Sequence, residues 1–158
     1  MEVLTVTIYI NNKFRIKRSA HQQEMMQKLV SVDKLFGSYR DILVLSAAVG
    51  YANNNYKRID KAASDGVLMQ FFSEKDLDFI DLIAYAHKKE QAVLYTDEKY
   101  DIFSAYANGG FDILINLLEI DPNIEMDDNL RETKLLKLCE MLLTGNVQTP
   151  SIEDKMTI

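Results

Sequence analysis

A chain of 158 residues, 47% hydrophobic and 27% charged, has the size and composition of one globular domain around a single core. Its apolar runs fall well short of the roughly 20 residues that span a bilayer, and its one cysteine, Cys139, excludes an internal disulfide. The net charge of −6 is unevenly divided: residues 1–61 hold ten Lys/Arg against five Asp/Glu, residues 62–158 eight against nineteen. Halves of opposite sign point to a basic edge that meets an acidic partner, unless the fold intermixes the charges. The opening stretch MEVLTVTIYINNK has no basic residue ahead of its apolar run and no small-residue cleavage site, so a cytoplasmic protein is expected.

Residues 3–10 alternate with period two, Leu4, Val6, Ile8 and Ile10 against Thr5, Thr7 and Tyr9. Residues 13–18 alternate as well, with Phe14 and Ile16 against Lys13, Arg15 and Lys17. The two runs predict an N-terminal β-hairpin over 3–18. A three-residue loop, Asn11-Asn12-Lys13, pairs Ile10 with Phe14 and sets Tyr9 beside Arg15, whereas a two-residue loop would mix the faces. Ser19 then caps a helix to about Leu35, with Met25, Leu29, Val32 and Phe36 at helical spacing and Gly37 at its end.

The next segment, SYRDILVLSAAVGY, has only Ser46 as a polar residue between Ile42 and Val49. It predicts a central helix buried on every face, capped by Ser38 and ended by Gly50. Residues 51–64 read as a polar surface loop carrying Lys57, Arg58 and Lys61. Residues 67–72 predict a third short strand or a buried connection. Ser73 with Asp76 then forms a near capping box for a helix with the stripe Leu77, Ile80, Ile83 and Ala84. Residues 93–95 suggest another short strand.

From Asp97 a long helical pattern runs through Tyr100, Phe103, Ala107, Leu114 and Leu118, interrupted by Asn108-Gly109-Gly110. Adjacent glycines cost about 2 kcal/mol relative to alanines inside a helix, so they mark either a break or a close approach of another backbone. Asp121-Pro122 ends the pattern, residues 130–143 form a last amphipathic helix, and residues 144–158 lack periodicity and are expected to be a mobile tail. The expected fold is a mainly α domain over 1–143 with a small β element.

Candidate chemistry is sparse. His21 and His87 have no second His or Cys at metal-ligand spacing, and His87 with Lys88 and Lys89 complements a helix C-terminus. Asp76, Asp78 and Asp81 fall on different faces of one helix. Cys139, in LLKLCEMLL, reads as a small core residue. No phosphate loop and no nucleophile motif is present. The basic hairpin face is more informative. Arg15, Lys17 and Arg18 beside Tyr9, with Lys13 at the turn, form a ribbon with donors suited to phosphates, which Lys57, Arg58 and Lys61 would extend if the fold brings them near. The sequence pI of about 4.9 opposes that reading and favours a solvated sheet edge.

The order of segments is itself informative. The basic RIKR leads into a helix and then FGSYRDILVLSAAVGY; FFSEKDLDFIDLIAYA and FSAYANGGFDILINLL follow. Over residues 15–118 this resembles the DNA phosphorothioation-associated protein 4 family, small bacterial proteins associated with DNA sulfur modification. Tyr51 after AAVG, and Tyr106, Ala107, Asn108, Gly109 and Gly110, are the most diagnostic positions. The resemblance implies a non-enzymatic accessory or adaptor subunit of an anti-phage or restriction-type system, with no cofactor. Its partners would be larger protein components of the locus or a second copy. A DNA-binding regulator using the basic hairpin is the alternative, with weak, sequence-independent DNA contact.

Overall fold

In the computed structural model, which describes residues 9–147, the most deeply buried element is helix α4, Glu98–Leu117. Between Lys99 and Phe111 only Asp101 is exposed. The helix runs unbroken through Asn108-Gly109-Gly110 because another backbone lies against it there. Helix α2, Tyr39–Ala52, crosses α4 so closely that a Cβ on Gly110 would collide with the Ser46 carbonyl, and one on Gly50 would collide with the carbonyl of Tyr106. The glycines lose helix propensity and gain a contact that no larger residue permits. Gly50 is therefore not a helix stop but a packing position inside α2. Ser38 does cap α2, its Oγ accepting from Asp41 N at 3.3 Å. The helix is not buried all round, since Val44, Leu45 and Ala48 are half-buried.

Helix α3, Glu74–Lys88, lies on α4 through Ile80, Ile83 and Ala84. Its capping box is complete: Ser73 N donates to Asp76 Oδ2 at 2.9 Å and Asp76 N to Ser73 Oγ at 3.2 Å. The helix expected from Ser19 to Leu35 is divided into a 3-10 turn Ala20–Gln22, α1 at Gln23–Gln27, and a π turn Lys28–Val32. That widened turn ends at Asp33, which is fully buried, pairs with Lys28, and accepts from Met126 N at 3.0 Å. A tertiary partner for a buried carboxylate, invisible to local periodicity, shapes this helix end.

The β element is small. Strand β1, Arg15–Ile16, pairs antiparallel with β2, Val67–Leu68, in the register Arg15 with Leu68 and Ile16 with Val67. The first strand expected of the hairpin falls on residues 3–10, of which only Tyr9 and Ile10 are described, and neither is in a strand. Tyr9 does not lie beside Arg15; its hydroxyl donates to Asp97 Oδ1 at 2.8 Å. The expected strand at 67–72 is shorter and turns into a 3-10 segment, Met69–Phe71, and the one expected at 93–95 is part of a 3-10 segment, Gln91–Tyr95. Helix α5, Asp128–Thr144, closes the described chain, capped by Asp127 and ended at Gly145, φ 68°. Cys139 is exposed on it rather than in the core. No described helix is long and apolar enough to cross a membrane.

Candidate functional site

The loop between α2 and β2 would be a poor site if it were free to move, but its backbone is tied down on two sides. From α4, the buried Asn108 donates through Nδ2 to the carbonyls of Lys57 (2.8 Å) and Arg58 (3.3 Å), and its Oδ1 accepts from Ser19 Oγ at 2.5 Å. Lys57 N donates to Ala105 O at 3.1 Å, and Asn55 Nδ2 to Gly109 O at 2.8 Å. From the chain after β1, Ala20 N donates to Lys61 O and Ala63 N to Arg18 O, both at 2.8 Å. A Cβ on Gly109 would strike the Asn55 carbonyl, so the bare glycine lets the loop lie flat on the helix. The YANGG segment thus does two jobs: one glycine admits α2, and the asparagine with the other glycine moors the loop.

What the loop presents is charge. Lys57, Arg58 and Lys61 are exposed, and the fold brings Lys17, the exposed residue after β1, to the same region. Two hollows form there with Arg58 on the wall of both. One, of about 290 Å³, lies among Lys17, Tyr56, Arg58, Glu98, Asp101 and Ile102. The other, of about 450 Å³, lies among Ser19, His21, Lys57, Asp60, Lys61 and Asn108. Among the described residues, none of Lys17, Lys57, Arg58 and Lys61 forms an ion pair. Desolvation pushes the Asp101 carboxyl above the usual carboxylate range, and Lys17 and Arg58 act against that shift.

The other expected contact residues lie apart. The guanidinium of Arg15 donates to Gly66 O at 3.2 Å, and Lys13 is exposed at the turn before β1. Arg18 is only 2% exposed, paired with Asp65 at 3.0 Å and stacked over Tyr39. It is built into the packing, apart from the two hollows around Arg58.

An aromatic cluster borders the first hollow. Tyr56 stacks on His87 with ring centroids 4.4 Å apart, and His87 Nδ1 lies 2.8 Å from the Tyr106 hydroxyl. Tyr51 packs edge-on to Tyr106 at 5.5 Å. Burial raises the Tyr106 phenol above its ordinary pKa, with Tyr51 and Tyr56 adding to the rise. Tyr56, His87, Ser19, Glu98 and Asp101 were not legible as site residues. They come from four segments, with Glu98 and Asp101 both on α4, and only the position of Tyr56 next to Lys57 hinted at a role. Among the described residues no group of three His, Cys, Asp or Glu is placed to hold a metal ion.

Asn108→Ala tests the mooring. It removes the donor that satisfies two loop carbonyls and should cost about 1–3 kcal/mol. The expected result is a lower melting temperature with new protease cleavage inside 53–65; an unchanged melt and cleavage pattern would show that the loop holds itself.

The sequence model of one protein family matches residues 15–136, a span from β1 to the middle of α5; that family is described as DNA sulphur modification system-associated protein 4. No curated protein and no solved structure matches the chain.

Proposed function

The chain belongs to the DNA sulphur modification system-associated protein 4 family, and on that premise we propose that it is a non-enzymatic accessory subunit of an anti-phage system of this kind, attached to a larger protein component of the same system. The observation that carries this is the orientation of α5. A surface helix normally turns its apolar stripe inward. Here Leu136, Leu142 and Leu143 are 65%, 58% and 88% exposed, with Leu135 and Cys139 between them, while the inner side is fastened partly by polar groups. Lys134 Nζ donates to Glu119 O at 2.9 Å, and Lys137 lies 3.4 Å from the Glu119 carboxylate. A contiguous leucine surface of this kind is the mark of a protein contact.

The test is Leu136→Lys with Leu143→Lys. Both side chains already face solvent, so the melting temperature should stay within the range of surface changes, about ±0.5 kcal/mol. Co-purification with the other proteins of the system, expressed together, should be lost. Retention of the complex would remove α5 from the interface.

A second reading, a nucleic-acid adaptor, is favoured by the unpaired cations Lys57, Arg58 and Lys61 on the moored loop, with Lys17 after β1 beside them. Three or four phosphate contacts would give sequence-independent binding with a log–log salt slope of about −3 to −4.

A further inference from the structure

The two hollows that share Arg58 differ in chemistry. The second is a cation-rimmed depression in which Asp60 is the only carboxylate among the described residues. The first is smaller and mixed: Lys17 and Arg58 stand at it together with the carboxylates of Glu98 and Asp101, and its walls include Tyr56, Ile59 and Ile102. A phosphate is a poor fit for a cleft holding two carboxylates. A flat, partly apolar group bearing N–H donors is a good one. Carboxylates accept from the exocyclic amino groups of bases, apolar and aromatic walls take the base faces, and the cations at the mouth suit the phosphate that a nucleotide carries. At about 290 Å³ the cleft is at the small end of ligand pockets. A duplex shows base edges in its grooves but keeps the base faces stacked, so it has no whole base to place in a cleft.

Resting on the nucleic-acid reading, we propose that the Lys17–Tyr56–Asp101 cleft receives one base of a single-stranded nucleic acid, whose backbone passes Arg58 into the hollow lined by Lys57 and Lys61. The tyrosine is ready for this role. His87 stacks behind it and Tyr106 meets it edge-on at 5.1 Å, so its ring plane is fixed before a ligand arrives. The cations are ready as well, because Asn108 and the Ala20 amide hold the loop that carries them. A backbone fixed beforehand avoids the cost of ordering the loop on binding.

The experiment uses the full chain and three fluorescein-labelled 12-mers: a mixed-sequence single strand, its fully abasic counterpart and the matching duplex. Anisotropy is measured over a salt series. The intact single strand should bind about 5- to 150-fold more tightly than the abasic one, the range that base stacking supplies, and more tightly than the duplex. Lys17→Ala and Lys61→Ala should weaken binding of every probe and shorten the salt slope by about one each. Tyr56→Leu should bring the intact strand down to the abasic level. The abasic comparison is made on the wild-type protein, so a poorly folding Tyr56 variant does not decide the matter. Equal affinity for intact and abasic strands would overturn the base cleft while leaving the nucleic-acid reading standing. Tightest binding to the duplex would overturn it in favour of groove or backbone contact. No binding to any probe at low salt would overturn both.

Discussion

Gly110→Val should leave no cooperatively folded protein. The Cβ of any residue at 110 would overlap the carbonyl oxygen of Ser46 and lie 2.5 Å from Gly50 N, and both are main-chain atoms of α2. No side-chain rotation relieves such a clash; the two helices must move apart. Separation opens the packing of Ile42, Ala47, Phe103 and Ala107, all at most 1% exposed. Overpacking in a core that can adjust costs about 1–3 kcal/mol. Here adjustment means loss of the main helix contact, set against a whole-domain stability of about 5–15 kcal/mol. Gly110→Ala should destabilise in the same direction by less. Gly37→Ala is the control, since a Cβ there meets only the Asp41 side chain at 3.3 Å. Thermal melts followed by circular dichroism decide the matter. A Gly110→Val protein melting at the wild-type temperature would show that the helices do not cross at these glycines.

Lys99→Ala is expected to be the most damaging loss of a charge. Lys99 is 2% exposed and its ammonium has a full set of acceptors: Asp81 Oδ1 at 2.9 Å, Leu94 O at 2.9 Å and the carbonyl of Tyr9. Removing one member of a buried pair costs about 3–5 kcal/mol, because the other charge is left without a partner in a poorly solvated place. The pH dependence has a definite sign. Burial raises the Asp81 carboxyl, and Lys99 is what holds that rise in check. Without Lys99 the folded-state pKa climbs further above the unfolded value of about 3.9. The penalty is therefore fully present above the raised folded pKa and fades as pH falls through it towards 3.9, where the protonated acid is buried neutral. Denaturant melts at pH 7 and pH 5 should show the smaller deficit at pH 5, and Lys99→Met with Asp81→Leu should recover part of the stability. A single variant as stable as wild type at pH 7 would show that the pair contributes nothing.

What the sequence revealed and what it concealed divide along the range of the forces involved. Ser38 with Asp41, and Ser73 with Asp76, are legible because a cap and its target lie three residues apart. The run around Ile42 to Val49 was legible as a core helix, yet it pointed to α2 as the centre when α4 holds that place. The reason is that α4 buries Lys99 and Asn108, polar residues with partners distant in the chain: Tyr9 and Asp81 for the one, Lys57 and Arg58 for the other. Likewise β1 pairs with a strand some fifty residues on, where alternation alone favoured the contiguous segment. Arg18 and Lys17 are neighbours in sequence, but one is interior and the other faces the hollow. Leucine spacing on α5 predicted an apolar face without saying that much of it looks outward.

The crossing of α2 and α4 has a consequence for the chain as it is made. It is the most extensive contact between helices, and its two sides, Gly50 and Gly110, are sixty residues apart. Translation at about 5–20 residues per second puts about 3–12 s between their syntheses. Through that interval α2 has no α4 to cover it, and Ile42, Leu43, Ala47 and Val49 are open to any other apolar surface. The nascent protein is therefore exposed to misassociation during synthesis, and its yield should depend on what meets α2 before the glycines do.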